Sequence, residues 1–197
     1  MVEELFKCVA LKYKIQSILD NDRVGYFRID EEAALQESGL THDELQKVID
    51  KCISSSVYAF YVDSENIKTI TGDLICALGI KSSLLPETIG TIDSLAEMIV
   101  LHELAHLIDQ QNLIDELDIV LNDCDFSIGD NISLRAERVD EDLTHNKVFG
   151  AILNNLIQRE NRGDTAAYLL RLAMSKTLID IEEAIVNNEM DEGFYRC

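Results

Sequence analysis

A histidine, a glutamate and a second histidine stand at positions 102, 103 and 106, in the run Ile99-Val100-Leu101-His102-Glu103-Leu104-Ala105-His106-Leu107-Ile108. This is an H-E-x-x-H pattern. On an α-helix, side chains four apart lie on one face, one turn above the other. His102 and His106 can therefore offer two imidazole nitrogens to one cation about 2 Å from each. Glu103 stands one step round the helix, placed to hold a water on that cation and take its proton. The pattern predicts the chemistry of a zinc metallopeptidase. With four histidines in 197 residues, a chance match is expected about once in a hundred such chains. The competing reading is a buried helix with two hydrogen-bonded core histidines. Against it, bare imidazoles on an aliphatic face are costly to bury without partners.

A hydrolytic zinc usually takes three protein ligands and keeps a fourth position open. Met-turn proteases place the third histidine six residues after the motif's second one. Here that position is Asn112, and Asp109 replaces the glycine expected three residues after His106, which excludes that class. The remaining candidates are Glu137, Asp140 and Glu141 in Ala136-Glu137-Arg138-Val139-Asp140-Glu141, and His145 in Thr144-His145-Asn146-Lys147-Val148-Phe149. His145 is favoured, because it heads an apolar helical pattern (Val148, Phe149, Ile152, Leu153, Leu156, Ile157) that must pack on the core. Glu141 and Glu137 stay open as alternatives, each otherwise an ordinary solvated acid.

Several elements must position these groups. Residues 2–20 show near-helical apolar spacing and predict an amphipathic helix. Tyr26–Ile29 predicts a short strand, and 30–37 a helix. Thr41-His42-Asp43-Glu44 is a capping box that opens a further helix through Cys52, with His42 an exposed neighbour of the cap. Val57–Val62 is aromatic and β-branched, which predicts a strand, and Ile67–Thr71 a second. Leu74–Ile80 is ambiguous between helix and strand. Thr91 is the expected N-cap of a metal helix that begins at Ile92. Residues 111–122 are expected to continue helical, as are 136–160, and Asp164 to cap a final helix over 165–189 that packs on the metal helix. The acidic loop from Asp123 is not a calcium site, since Ile128 and Leu134 occupy the places of the required glycine and glutamate. The expected architecture is α+β, mostly helical, with a small sheet of about three strands beside the metal helix. Its organisation is an N-terminal helical region, 1–56, and a metallopeptidase domain, 57–197, or one single domain over 1–197.

The net charge of −20, from 37 acidic and 17 basic residues, repels phosphate backbones and argues against nucleic-acid binding. It also argues against reading the two short N-terminal helices and following strand as a winged-helix DNA reader. It favours cationic substrates or partners. Five scattered cysteines without a C-x-x-C pair read as reduced thiols of a cytoplasmic protein. The N-terminus lacks the pattern of a signal peptide, and no apolar run reaches the length of a membrane span.

H-E-L-A-H, followed some forty residues later by H-N-x-x-F, resembles the small intracellular zincins of the SprT and WLM type. The match covers Ile99–Ile108 and His145–Phe149. The resemblance implies a zincin-like fold, zinc held by His102, His106 and His145, and Glu103 as general base. Asn146 departs from the glycine common after the third histidine, and there is no downstream zinc ribbon. The acidic charge keeps the DNA-repair role of some members from being carried over. The expected activity is hydrolysis of peptide bonds, with Tyr168 and Tyr195 as candidate groups to stabilise the developing oxyanion. The rival expectation is a catalytically idle zincin-like module that binds a basic protein partner.

Overall fold

The computed structural model of the chain describes residues 1–20, 23–28, 58–63, 75–88, 91–119, 145 and 147–194. Helix α1 (Val2–Lys12) forms because Val2, Leu5, Phe6, Val9 and Ala10 repeat at helical spacing and all five are buried. Glu3 and Glu4 occupy its first turn, the end where negative charge suits the helix dipole. It stops well short of the 2–20 span that periodicity predicts. Lys14 adopts a left-handed backbone, φ 60°. The Lys14 N–H bonds to the Leu11 carbonyl (3.1 Å) and that of Ile15 to the Ala10 carbonyl (2.8 Å). This is a Schellman ending, pinned by the fully buried Ile15. A 3₁₀ turn, Gln16–Leu19, follows and buries Ile18 and Leu19.

Among the described residues three strands make one mixed sheet: β1 (Val24–Arg28), β2 (Ala59–Asp63) and β3 (Cys76–Ile80), in the order β1-β3-β2. The centre strand is parallel to β1, with Val24 opposite Cys76, and antiparallel to β2, with Ala59 opposite Ile80. Every residue of β3 is buried, as its continuous apolar run requires of a strand covered on both faces. That resolves Leu74–Ile80 as strand. The predicted strands at Tyr26–Ile29 and Val57–Val62 correspond to β1 and β2. The elements expected over 30–52 and 67–71, and the parts of the expected helices over 120–122 and 136–144, lie outside the described residues.

Helix α2 (Ser94–Gln110) is the axis of the molecule. Its N-cap is Asp93 rather than Thr91: Asp93 Oδ1 accepts from the N–H groups of Leu95 (2.8 Å) and Ala96 (2.9 Å). Thr91 instead donates its hydroxyl to the Thr88 carbonyl, 2.9 Å away. From Ala96 to Ile108 every residue of α2 is buried, so the helix is surrounded: α1, β2, β3 and the two later helices, Lys147–Glu160 and Thr165–Phe194, all pack against it. It does not continue through 111–122 as the sequence suggests. Asn112 takes φ 54°, and the N–H of Leu113 returns to the Ile108 carbonyl at 3.0 Å, a second Schellman ending. A single turn follows and ends in the same way at Asp118, φ 50°.

Helix α3 (Lys147–Glu160) buries Phe149, Ile152, Leu153, Leu156 and Ile157. Gly163, at φ 93°, supplies a backbone that side chains rarely adopt, and so turns the chain into α4 (Thr165–Phe194). Asp164 caps α4 as expected, accepting from the Ala167 N–H at 3.0 Å, and α4 packs on α2. Side chains from α1, β1, β2, β3, α2, α3 and α4 belong to one apolar cluster. The architecture is α+β. Among the described residues no helix is long and apolar enough to cross a membrane.

Candidate metal centre

The burial of α2 on all sides means that any polar group on it must find a partner inside the protein. Two polar sets occur. Near the start of the helix, Glu97 is 6% exposed and accepts from Lys12 Nζ (2.6 Å) and Tyr13 Oη (2.7 Å) at the end of α1, and from Arg171 Nε (3.2 Å) on α4. Arg171 also donates through Nη1 to Asn161 Oδ1 at 2.9 Å. Burial pushes the Glu97 carboxyl upward, but the hydrogen bonds of Lys12 and Tyr13 and the charges of Lys12 and Arg171 outweigh it. The group is held below its ordinary value of 4.5. Tyr13 moves the other way, its hydroxyl raised by burial first and by the Glu97 carboxylate second. This network fixes α1 and α4 onto α2.

The second set is the histidines. His102 and His106 project from one face of α2, and their Nε2 atoms lie 3.2 Å apart. His145, immediately ahead of α3, brings its Nε2 to 3.1 Å from that of His102. The three residues are 3%, 7% and 2% exposed, and their ligand atoms all fall within 4.8 Å of one another. Three buried histidines thus lie close enough together to hold one metal ion.

The distances suit a cation shared by the three imidazoles. A neutral imidazole nitrogen carries either one proton or one lone pair, so His102 Nε2, with neighbours at 3.1 and 3.2 Å, makes at most one well-formed hydrogen bond with them. Tetrahedral coordination at about 2.0–2.1 Å places ligand nitrogens about 3.3 Å apart, close to the spacing seen. Three imidazoles with no thiolate suit zinc and other first-row divalent ions.

Aromatic rings line the centre. Phe149, on the first turn of α3, lies against all three imidazoles, with ring centroids 4.3 Å from His106, 4.9 Å from His102 and 5.0 Å from His145. Tyr61, on β2, lies nearly parallel to the His106 ring at 6.4 Å. Its hydroxyl accepts from Gln111 Nε2 at 3.3 Å. Glu103, one residue after His102, is 5% exposed.

Of the residues that sequence reasoning named, the structure brings together His102, His106 and His145, with Glu103 on the same buried helix. The alternative ligands Glu137, Asp140 and Glu141 lie outside the described residues, as do His42 and Tyr195. The hydroxyl of Tyr168 is committed to Asn154 Oδ1 at 2.7 Å, across the α3–α4 seam. Tyr61 and Gln111 beside the centre were not anticipated. The signal for Tyr61 was present, as an aromatic residue in a strand expected next to the metal helix. Gln111 was hidden by the expectation that the helix runs on. Comparison with known proteins gives no match: no family model fits the chain, and neither a curated protein nor a solved structure is similar to it.

Proposed function

We propose that the chain is a zinc-dependent metallopeptidase of zincin-like type, with His102, His106 and His145 as the metal ligands. The observation that carries this reading is the convergence of the three Nε2 atoms on the helix that also bears Glu103. Zinc, when bound, supplies a Lewis acid that polarises a carbonyl and lowers the pKa of a water. With the ion held by the three histidines, the Glu103 carboxylate would take the proton of the attacking water and pass it to the leaving amine. Its burial keeps the carboxylate out of bulk solvent, which strengthens its interaction with the reacting groups. The charge of −20 favours peptide or protein substrates with basic character.

The resemblance to SprT- and WLM-type zincins supports this reading through His102–His106 and His145–Phe149 alone. A second reading, an idle module whose metal is structural and whose acidic surface binds a basic partner, draws on the burial of all four residues, 2–7% exposed. Glu103→Gln separates the two. The metallopeptidase reading expects this variant to keep one metal per chain and to lose cleavage of an unfolded basic protein substrate by about two orders of magnitude or more. Absence of cleavage by metal-loaded wild-type protein favours the idle module, and cleavage unchanged by the substitution overturns the role of Glu103 as base.

A further inference from the structure

Phe149 carries no donor atom, yet it touches every residue of the histidine cluster. It is fully buried and lies four residues beyond His145, so the segment that delivers the third nitrogen also delivers this ring. Its contacts are of two kinds. Toward His102 and His145 the planes cross at 68° and 64°, the edge-to-face geometry that neutral aromatic pairs prefer. Toward His106 the planes are only 26° apart and the centroids 4.3 Å apart. That is closer than the about 4.5–7 Å usual for aromatic pairs.

A close, nearly parallel contact at this centroid distance is an offset stack, which neutral rings also adopt. The contact gains further when one ring is depleted of electrons. An imidazole that gives its lone pair to a cation is such a ring, and the face of phenylalanine attracts positive charge. We propose that Phe149 is a positioning residue of the metal centre. It sets the planes of the three ligand rings and, through its face on His106, stabilises the metal-bound, electron-poor imidazole over the free one. Metal ligands are commonly oriented by hydrogen bonds from outside the coordination sphere; here an aromatic surface contributes that orientation. The inference rests on the histidine cluster being a metal site.

The test is equilibrium dialysis of Zn²⁺ and Co²⁺ against the full chain, with the visible absorption of the Co²⁺ form as a reporter of ligand geometry. Phe149→Leu keeps the bulk of the side chain and removes the aromatic face. It is expected to weaken zinc binding about tenfold or more and to alter the Co²⁺ spectrum, with metal-free protein still folded by circular dichroism. Site-specific replacement of Phe149 by phenylalanines of increasing ring fluorination preserves the shape and withdraws electrons from the face. It is expected to lower affinity stepwise, and it keeps the test open if Phe149→Leu does not fold. Wild-type affinity and an unchanged Co²⁺ spectrum across these variants would overturn the role of Phe149 and leave the metal site standing. Failure of wild-type protein to bind either ion would overturn both.

Discussion

Replacing Glu97 by glutamine keeps the shape of the side chain and removes its charge. In the native protein the carboxylate is 8% exposed and faces Lys12 Nζ at 2.6 Å and Arg171 Nε at 3.2 Å, with those side chains 35% and 17% exposed. Breaking a fully buried ion pair by removing one partner costs about 3–5 kcal/mol. An exposed pair is worth about 0–1 kcal/mol. The two cations lie between these limits, because Lys12 regains water over a third of its surface and Arg171 keeps Asn161. The expected loss is therefore about 2–3 kcal/mol. For a chain of this size that lowers the melting temperature by about 4–12 °C. Urea unfolding and calorimetry at pH 7 measure it. The pH dependence gives a second, independent mark. The Glu97 carboxyl is held below 4.5 in the folded protein, so its contribution is complete above its unfolded value and disappears as pH falls through the lower folded one. The stability gap between wild type and Glu97→Gln should narrow only below about pH 4.5. A gap under about 0.5 kcal/mol at pH 7, within the range of ordinary surface substitutions, would refute the argument. So would a gap that persists unchanged into acid.

Three further outcomes are expected. Asp93→Ala leaves the Leu95 and Ala96 N–H groups without their cap and should cost about 1 kcal/mol in urea unfolding, whereas Thr91→Ala should cost less. Lys14→Gly should retain or gain stability, by up to about 1–2 kcal/mol, since lysine already bears the left-handed cost at φ 60°, while the β-branched Lys14→Val should lose stability. Stripping metal with a chelator should lower the melting temperature, because an ion at a hundred times its Kd contributes about 2.7 kcal/mol. His145→Ala should abolish that difference between loaded and stripped protein.

The pairing of His102 and His106 in the histidine cluster was legible because its information is local. His102 and His106 are fixed relative to each other by one helical turn, whatever surrounds them. His145 could be preferred from the apolar pattern that follows it, a pattern that must pack on the core. The sheet was legible in part: Ala59–Asp63 declared itself by β-branched and aromatic residues, whereas the all-apolar Cys76–Ile80 fits a buried helix as well as a buried strand. The boundaries were least legible. The ends of α1 and α2 are set by left-handed residues, and Lys14 carries no glycine or proline signal to mark such a turn. Asn112 did carry a signal, since asparagine tolerates that conformation, but the apolar residues that follow it suggested a longer helix. At the start of α2, Thr91 and Asp93 both qualify as caps by residue type, and only the register of the buried face selects Asp93. The Glu97 network was invisible because it joins α1, α2 and α4 across more than 70 residues of sequence.

The central claim is tested most directly by the metal content of the protein, purified without added metal or chelator and measured by elemental analysis alongside His145→Ala. The account predicts about one zinc per chain in the wild type, held through extensive dialysis, and a large loss in the variant. Wild-type protein that holds no first-row metal, or His145→Ala that holds zinc as tightly as wild type, would contradict it.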